Sequence, residues 1–133
     1  MTTQKRVALV IGIGDYEDPL LGKLDHPKGD AEAMAQKLGE WGFKVVKALD
    51  RTEQQLRTDL DALVQGYRGA DAVLVYVTGH GRRVGGENFV LPTDANFDAA
   101  ATLRTSALAL GEIVDHAAQV APSRIILLRC LSG

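Results

Sequence analysis

Residues 73–81 read VLVYVTGHG, and residues 125–130 read IILLRC. Each stretch is a run of apolar, strand-forming residues that delivers one reactive side chain at its end, His80 in the first and Cys130 in the second. Continuous apolar runs of this kind are typical of strands that are covered on both faces. A cysteine and a histidine placed in this way can act as a nucleophile and its base, the two groups that a cysteine hydrolase requires. The two stretches therefore predict a buried sheet and a reactive pair at its edge.

The rest of the chain alternates strand and helix patterns with short connections. Four longer strands are predicted, at residues 6–13, 43–49, 71–78 and 124–128, with a short strand at 88–91 in a small hairpin. After a loop over residues 14–29, a first helix is expected to end at Gly42. Thr52 and Gln55 have the form of a capping box at the start of a second helix. The apolar face of a third helix is predicted from Leu110, Ile113, Val114, Ala117 and Val120.

This alternation predicts an α/β fold with a mostly parallel sheet and helices on both faces. Sites in such sheets gather beyond the carboxyl ends of the strands. His80 and Cys130 are both predicted to lie there, and their side chains can meet if the two strands that carry them are neighbours.

Composition limits the possible classes of protein. The chain has 133 residues, a net charge of −2 and 46% hydrophobic residues, which predicts a single soluble domain over residues 1–133. There is no basic face for nucleic acid, and the apolar runs are too short to span a bilayer. The one cysteine cannot form an internal disulfide, which fits the cytoplasm. A single cysteine also excludes a cysteine-based zinc cluster, and three dispersed histidines are a weak basis for a metal site, so neither a metal nor a cofactor is expected.

Five sequence blocks together suggest a family. VALVIGIGDY, LDHPKGDA, VTGHG, GENFVLPTDA and RCLSG follow one another, and the histidine precedes the cysteine by 50 residues. In this order and spacing the chain resembles the caspase-like cysteine peptidases, which include caspases, metacaspases and their bacterial relatives. The resemblance runs from Val7 to Gly133, and the bacterial branch is the most similar because of the block Leu91–Asp94. It implies a caspase-like three-layer sandwich that is truncated before the small-subunit strands.

The resemblance also implies roles for individual residues. His80 matches the general base and Cys130 the nucleophile, with the backbone N–H groups of Gly81 and Cys130 as the oxyanion hole. Asp30 matches an aspartate that helps to bind a basic P1 side chain in metacaspases. These roles imply an endopeptidase that cleaves a protein or peptide substrate through a thioester.

The chain departs from the family pattern at the pocket and at its end. Leu128 stands where the family carries an aspartate two residues before the cysteine, Arg129 directly precedes Cys130, and Leu24 does not supply the pocket arginine of caspases. P1 preference therefore stays open. Relatives continue with a small-subunit part that adds two strands, so we expect a large-subunit portion whose fourth strand is an open edge. Its expected partners are that C-terminal portion or further domains of the same protein.

Several alternatives remain at the level of sequence. Asp30 could equally be the N-cap of the first helix. Asp15, Glu17 and Asp18 form an acidic loop that is either a calcium site or, more in keeping with the pattern, a solvated turn. For the whole chain, the alternative to a peptidase is a pseudo-protease that acts as an interaction or regulatory module. A nucleotide-binding module is a third interpretation, but Glu17 occupies the position of the third glycine in the phosphate-binding pattern.

Overall fold

The computed structural model describes residues 4–96 and 107–132, the last three by their backbone alone. Six strands and three helices follow in the order β1 (Arg6–Gly12), α1 (His26–Glu40), β2 (Lys44–Leu49), α2 (Glu53–Tyr67), β3 (Ala72–Val84), β4 (Glu87–Val90), β5 (Leu108–Ala109), α3 (Leu110–Val120) and β6 (Ser123–Ser132). No helix in these ranges is long and apolar enough to cross a membrane.

The strands form one sheet that is parallel in its core. β1 lies between β2 and β3, and β6 runs parallel to β3 on the other edge of β3. Beyond the end of β1, the last four residues of β3 pair with β4 in antiparallel fashion, and β4 pairs with the two-residue strand β5. The predicted α/β fold with a mostly parallel sheet is confirmed, and the strands that carry His80 and Cys130 are neighbours.

The core lies on both faces of the sheet. Ala8, Leu9, Val10 and Ile11 of β1 are each 0% exposed, although their side chains point alternately to opposite faces. On one face the strands pack against Ala31, Ala35 and Leu38 of α1. On the other face they pack against Leu56, Leu60 and Leu63 of α2 and Ile113, Ala117 and Val120 of α3. Each fully buried leucine or isoleucine contributes about 1.5–3 kcal/mol, so both helical layers hold the sheet.

The first helix begins earlier than predicted. α1 begins at His26, with Pro27 in its first turn, so the loop before it is shorter than the predicted 14–29. Proline favours this position because its missing N–H would be unpaired there in any case. The N-cap is Asp25, so the N-cap role considered for Asp30 is wrong. Asp30 lies inside the helix instead.

The second helix begins as the sequence predicts. The Thr52 hydroxyl accepts a hydrogen bond from the Gln55 N–H at 3.2 Å, and the Gln55 side chain accepts one from the Thr52 N–H at 3.0 Å. Arg57 then joins α2 to α3, since its guanidinium donates to Glu53 at 2.9 Å and to Glu112 at 3.2 Å. The hydrogen bond to Glu53 and the carboxylate of Glu112 raise the pKa of Arg57 despite partial burial.

Two strands extend further than predicted. β3 continues through His80 to Val84 because β4 supplies an antiparallel partner there, and β6 extends from Ser123 to Ser132 along β3. Val114, predicted on the apolar face of the third helix, is 36% exposed. In the described residues β6 pairs with β3 alone, and Ile125, Leu127 and Leu128 of β6 are between 41% and 55% exposed.

Candidate active site

His80 is delivered by a bend in β3 at Gly79. The β1–β3 ladder ends at the pair Gly12–Thr78, and the Ile13 N–H then donates to the Thr78 carbonyl at 3.0 Å. Gly79 has a φ of +144°, a backbone conformation that residues with a side chain rarely adopt. A Cβ atom there would lie 2.6 Å from the Ile13 carbonyl oxygen and 2.9 Å from the Tyr16 hydroxyl. Only glycine therefore lets β3 pass this close to the end of β1.

The backbone of His80 is held by Tyr16. The His80 N–H donates to the Tyr16 hydroxyl at 2.7 Å, and that hydroxyl donates to the Ile13 carbonyl at 3.2 Å. The two rings are tilted by 51° with their centroids 4.8 Å apart. Tyr16 is only 2% exposed. Tyr16 was not predicted as a site residue: it lies in the first family-like block, but no local pattern assigns it a role.

The imidazole ring of His80 has a defined orientation. Its Nε2 lies 3.3 Å from the Gly22 carbonyl oxygen, which only accepts hydrogen bonds, so in this contact Nε2 carries the hydrogen. In the neutral ring Nδ1 then keeps its lone pair. Nδ1 is buried and has no hydrogen-bond partner among the described atoms. Within the described part of the chain, Nδ1 is therefore the ring nitrogen that is available to accept a proton.

Cys130 lies beside this histidine in the sheet. In the register of β3 with β6, Cys130 pairs with Gly79 and Leu131 pairs with His80, on strands that are about 4.8 Å apart. The direction of the Cys130 thiol lies outside the described side chains. Gly81, the other predicted oxyanion residue, follows His80 on β3 and is opposite Ser132 in β6 and Val90 in β4. The catalytic and oxyanion roles stay predictions.

The carboxylate of Asp30, predicted to bind a basic P1 side chain, already has a cationic partner. The Arg129 guanidinium lies 3.2 Å from the Asp30 carboxylate, and the side chains are 69% and 30% exposed. An ion pair that is this exposed to solvent adds only about 0–1 kcal/mol to the stability of the fold. It nevertheless brings a positive charge to Asp30 from the residue directly before Cys130.

Two further segments hold the β1–α1 loop, from which Tyr16 and Gly22 contact His80. Asp50, at the end of β2, accepts hydrogen bonds from the Gly14 and Asp15 N–H groups at 2.9 and 3.0 Å. Its φ of +49° is the only positive value among the described non-glycine residues. The Thr93 carbonyl accepts from the Glu17 N–H at 2.9 Å, and the Thr93 N–H donates to the Arg51 carbonyl at 2.9 Å. Neither Asp50 nor Thr93 was assigned a role from sequence.

The remaining polar candidates have structural contacts. Asp15 pairs with Lys23, which raises the pKa of Lys23 mainly through their hydrogen bond, and Asp18 accepts from the Leu20 N–H at 2.9 Å. No cluster of three or more potential metal ligands occurs in the described ranges. His116, on α3, contacts the Glu112 carbonyl at 2.7 Å and the Asp61 carboxylate at 3.2 Å.

Comparison with known proteins gives matches in sequence. A family model of the caspase domain matches residues 5–115. The human mucosa-associated lymphoid tissue lymphoma translocation protein 1 is 36% identical over 91 residues, which cover 68% of this chain and 11% of that protein. Its mouse homologue is 35% identical over 91 residues, with the same coverage of 68% and 11%. The chain thus spans only a small part of the length of these curated relatives.

Solved structures give the same fold at lower identity. The Drosophila initiator caspase Dronc matches with a TM-score of 0.71 and 17% identity, covering 92% of this chain and 47% of that one. A crystal structure of a Geobacter sulfurreducens protein matches with a TM-score of 0.68 and 22% identity, covering 96% and 50%. This likeness shows the fold alone, and the chain spans about half the length of either structure.

Proposed function

The chain belongs to the caspase family, and we propose that it carries the Cys–His dyad of a caspase-type cysteine endopeptidase, with Cys130 as nucleophile and His80 as base. The observation that carries this proposal is the state of the His80 ring. Nε2 contacts the Gly22 carbonyl, while Nδ1 is buried and has no partner among the described atoms. Cys130 occupies the neighbouring position of the adjacent strand, paired with Gly79.

In the proposed reaction, His80 Nδ1 takes the proton of the Cys130 thiol. The thiolate sulfur attacks the carbonyl carbon of the scissile peptide bond, and the negative charge that forms on the oxygen is stabilised by the N–H groups of Gly81 and Cys130. The C–N bond then breaks, and the imidazolium of His80 gives its proton to the leaving amine. Water, deprotonated by His80, attacks the remaining thioester, which releases the carboxylic acid and restores the thiol.

The test is covalent labelling of the 133-residue chain. We expect peptide electrophiles to modify Cys130 selectively, and His80→Ala to reduce the rate about tenfold or more, because the thiol then loses its base. Modification is mapped by mass spectrometry. His116→Ala is the matched control, since His116 is tied to Glu112 and Asp61 and lies on a different element. Equal rates for wild type and His80→Ala would contradict the dyad.

The alternative function is a pseudo-protease that serves as an interaction or regulatory module. It is favoured by Leu128, which replaces the family aspartate, and by the ion pair that occupies Asp30. In the labelling experiment this alternative predicts that Cys130 reacts no faster than a free thiol, with or without His80.

The ion pair leads to a prediction about P1 preference. If Asp30 lies in the pocket for the P1 side chain, Arg129→Ala should raise labelling by an arginine electrophile about three- to fivefold relative to an aspartate electrophile, because the Asp30 carboxylate becomes free. The measurement is the ratio of the two labelling rates. Arg124→Ala, a change to an exposed arginine of the same strand, is the control. An unchanged ratio in Arg129→Ala would mean that Asp30 does not contact P1.

A further inference from the structure

We propose that Tyr16 is a positioning residue for His80 and that its hydroxyl group sets the geometry of the base, an inference that rests on the proposed function. The hydroxyl lies between two backbone groups, the N–H of His80 at 2.7 Å and the carbonyl of Ile13 at 3.2 Å. It thus connects the end of β1 to the residue that carries the imidazole.

The hydroxyl stands where the sheet offers the histidine no partner on β1. β1 pairs with β3 only as far as Thr78, and β4 pairs with β3 only from Gly81 onward. His80 lies between the two ladders on this side of β3: its carbonyl accepts from the Leu91 N–H at 3.3 Å, but its N–H has no backbone partner among the described residues. The Tyr16 hydroxyl fills this gap, because a hydroxyl can accept from the His80 N–H and donate to the Ile13 carbonyl at once. Phenylalanine would fill the same volume but would do neither.

The bend before His80 is built around the same group. A Cβ on Gly79 would come within 2.9 Å of the Tyr16 oxygen, so the backbone runs close to the hydroxyl. The tyrosine ring also contacts the imidazole, with 4.8 Å between centroids. Tyr16 therefore touches both the backbone and the side chain of the histidine.

One loop supplies all these contacts. Tyr16 and Gly22 both lie between β1 and α1, and the Gly22 carbonyl accepts from Nε2 at 3.3 Å. If the His80 backbone shifts, the distance from Nε2 to Gly22 changes, and the ring is no longer held with its hydrogen on Nε2. The Tyr16 hydroxyl thereby determines how much of the neutral ring presents an unprotonated Nδ1.

The experiment compares Tyr16→Phe with Tyr76→Phe in the 133-residue chain. Tyr76 is a matched control because it is also buried, at 6% exposure, and lies on β3 itself, but it packs in the cluster against α1. We measure the rate of Cys130 alkylation by iodoacetamide as a function of pH. Tyr16→Phe is expected to slow the reaction about tenfold at neutral pH and to move the pH profile toward that of a free thiol, with its midpoint at about pH 8.5. Tyr76→Phe should leave the profile unchanged.

A second readout keeps this inference separate from the proposed function. The ¹⁵N chemical shifts of the His80 ring report which nitrogen carries the hydrogen, whether or not Cys130 is reactive. We expect the Nε2–H form to dominate in the wild type and in Tyr76→Phe, and to fall in Tyr16→Phe. If His80→Ala does not affect alkylation, the dyad proposal fails and the ring shifts alone decide the role of Tyr16.

Two results would overturn the role of Tyr16. One is a Tyr16→Phe variant whose ring shifts match those of the wild type, together with an unchanged alkylation profile if alkylation depends on His80. The other is an equal change in Tyr16→Phe and Tyr76→Phe, which would point to a general loss of packing.

Discussion

Replacing Gly79 with alanine is expected to destabilise the chain by about 3–5 kcal/mol and to abolish any His80-dependent reactivity of Cys130. Two costs combine at this position. The φ of +144° is unfavourable for any side chain, and the new Cβ would lie 2.6 Å from the Ile13 carbonyl oxygen. That oxygen belongs to the backbone at the end of β1 and cannot swing aside as a flexible side chain would. Urea denaturation and alkylation of Cys130 measure the two effects.

Gly69→Ala is the matched control for Gly79→Ala. Gly69 also has a positive φ, +94°, but an added Cβ there would meet nothing within 4 Å. Gly69→Ala should therefore lower the free energy of unfolding only by the cost of the backbone conformation, about 1–2 kcal/mol, and leave Cys130 as reactive as in the wild type. If the two variants lose the same stability, the contact of the new Cβ with the Ile13 carbonyl contributes nothing to the loss, and β3 can relax away from Ile13.

The fold was predictable where the chain carries a long, regular pattern. The apolar run before His80 predicted β3, and Thr52 with Gln55 predicted the start of α2, because these signals lie within a few residues. The start of α1 at His26 was missed although Pro27 is a recognised signal for a first helical turn. The two-residue strand β5 exists only through its pairing with β4, and such a short segment has no periodicity to detect.

The site was predictable only for residues that a family motif contains. His80 and Cys130 were proposed from their motifs, and the pairing of β3 with β6 brings their backbones together. The contacts that orient His80 join residues that are far apart along the chain: Tyr16 and Gly22 precede it by 64 and 58 positions. The Arg129–Asp30 pair likewise joins β6 to α1. No local pattern encodes such contacts, since they depend on where the loops meet after folding.

Asp50→Ala is expected to destabilise the chain by about 2–4 kcal/mol and to reduce the His80-dependent reactivity of Cys130. The carboxylate accepts hydrogen bonds from two N–H groups, those of Gly14 and Asp15. Hydrogen bonds to a charged group contribute about 1.5–3 kcal/mol each when buried, and less at this partly exposed position. Alanine also tolerates the φ of +49° less well than aspartate or asparagine. Chemical denaturation gives the loss of stability, and the alkylation rate of Cys130 gives the effect on the site.

Asp50→Asn separates these contributions, because asparagine tolerates the same backbone conformation and keeps a side-chain oxygen that can accept from the loop. It should lose only the charge-assisted part of the hydrogen bonds, about 1 kcal/mol, and keep most of the reactivity. Asp50 does not contact His80; it holds the start of the loop that carries Tyr16 and Gly22. A folded Asp50→Ala chain with undiminished reactivity would therefore mean that Tyr16 and Gly22 keep their positions without this anchor. A loss of reactivity in Asp50→Ala but not in Asp50→Asn would mean that the end of β2 controls the orientation of a histidine on β3.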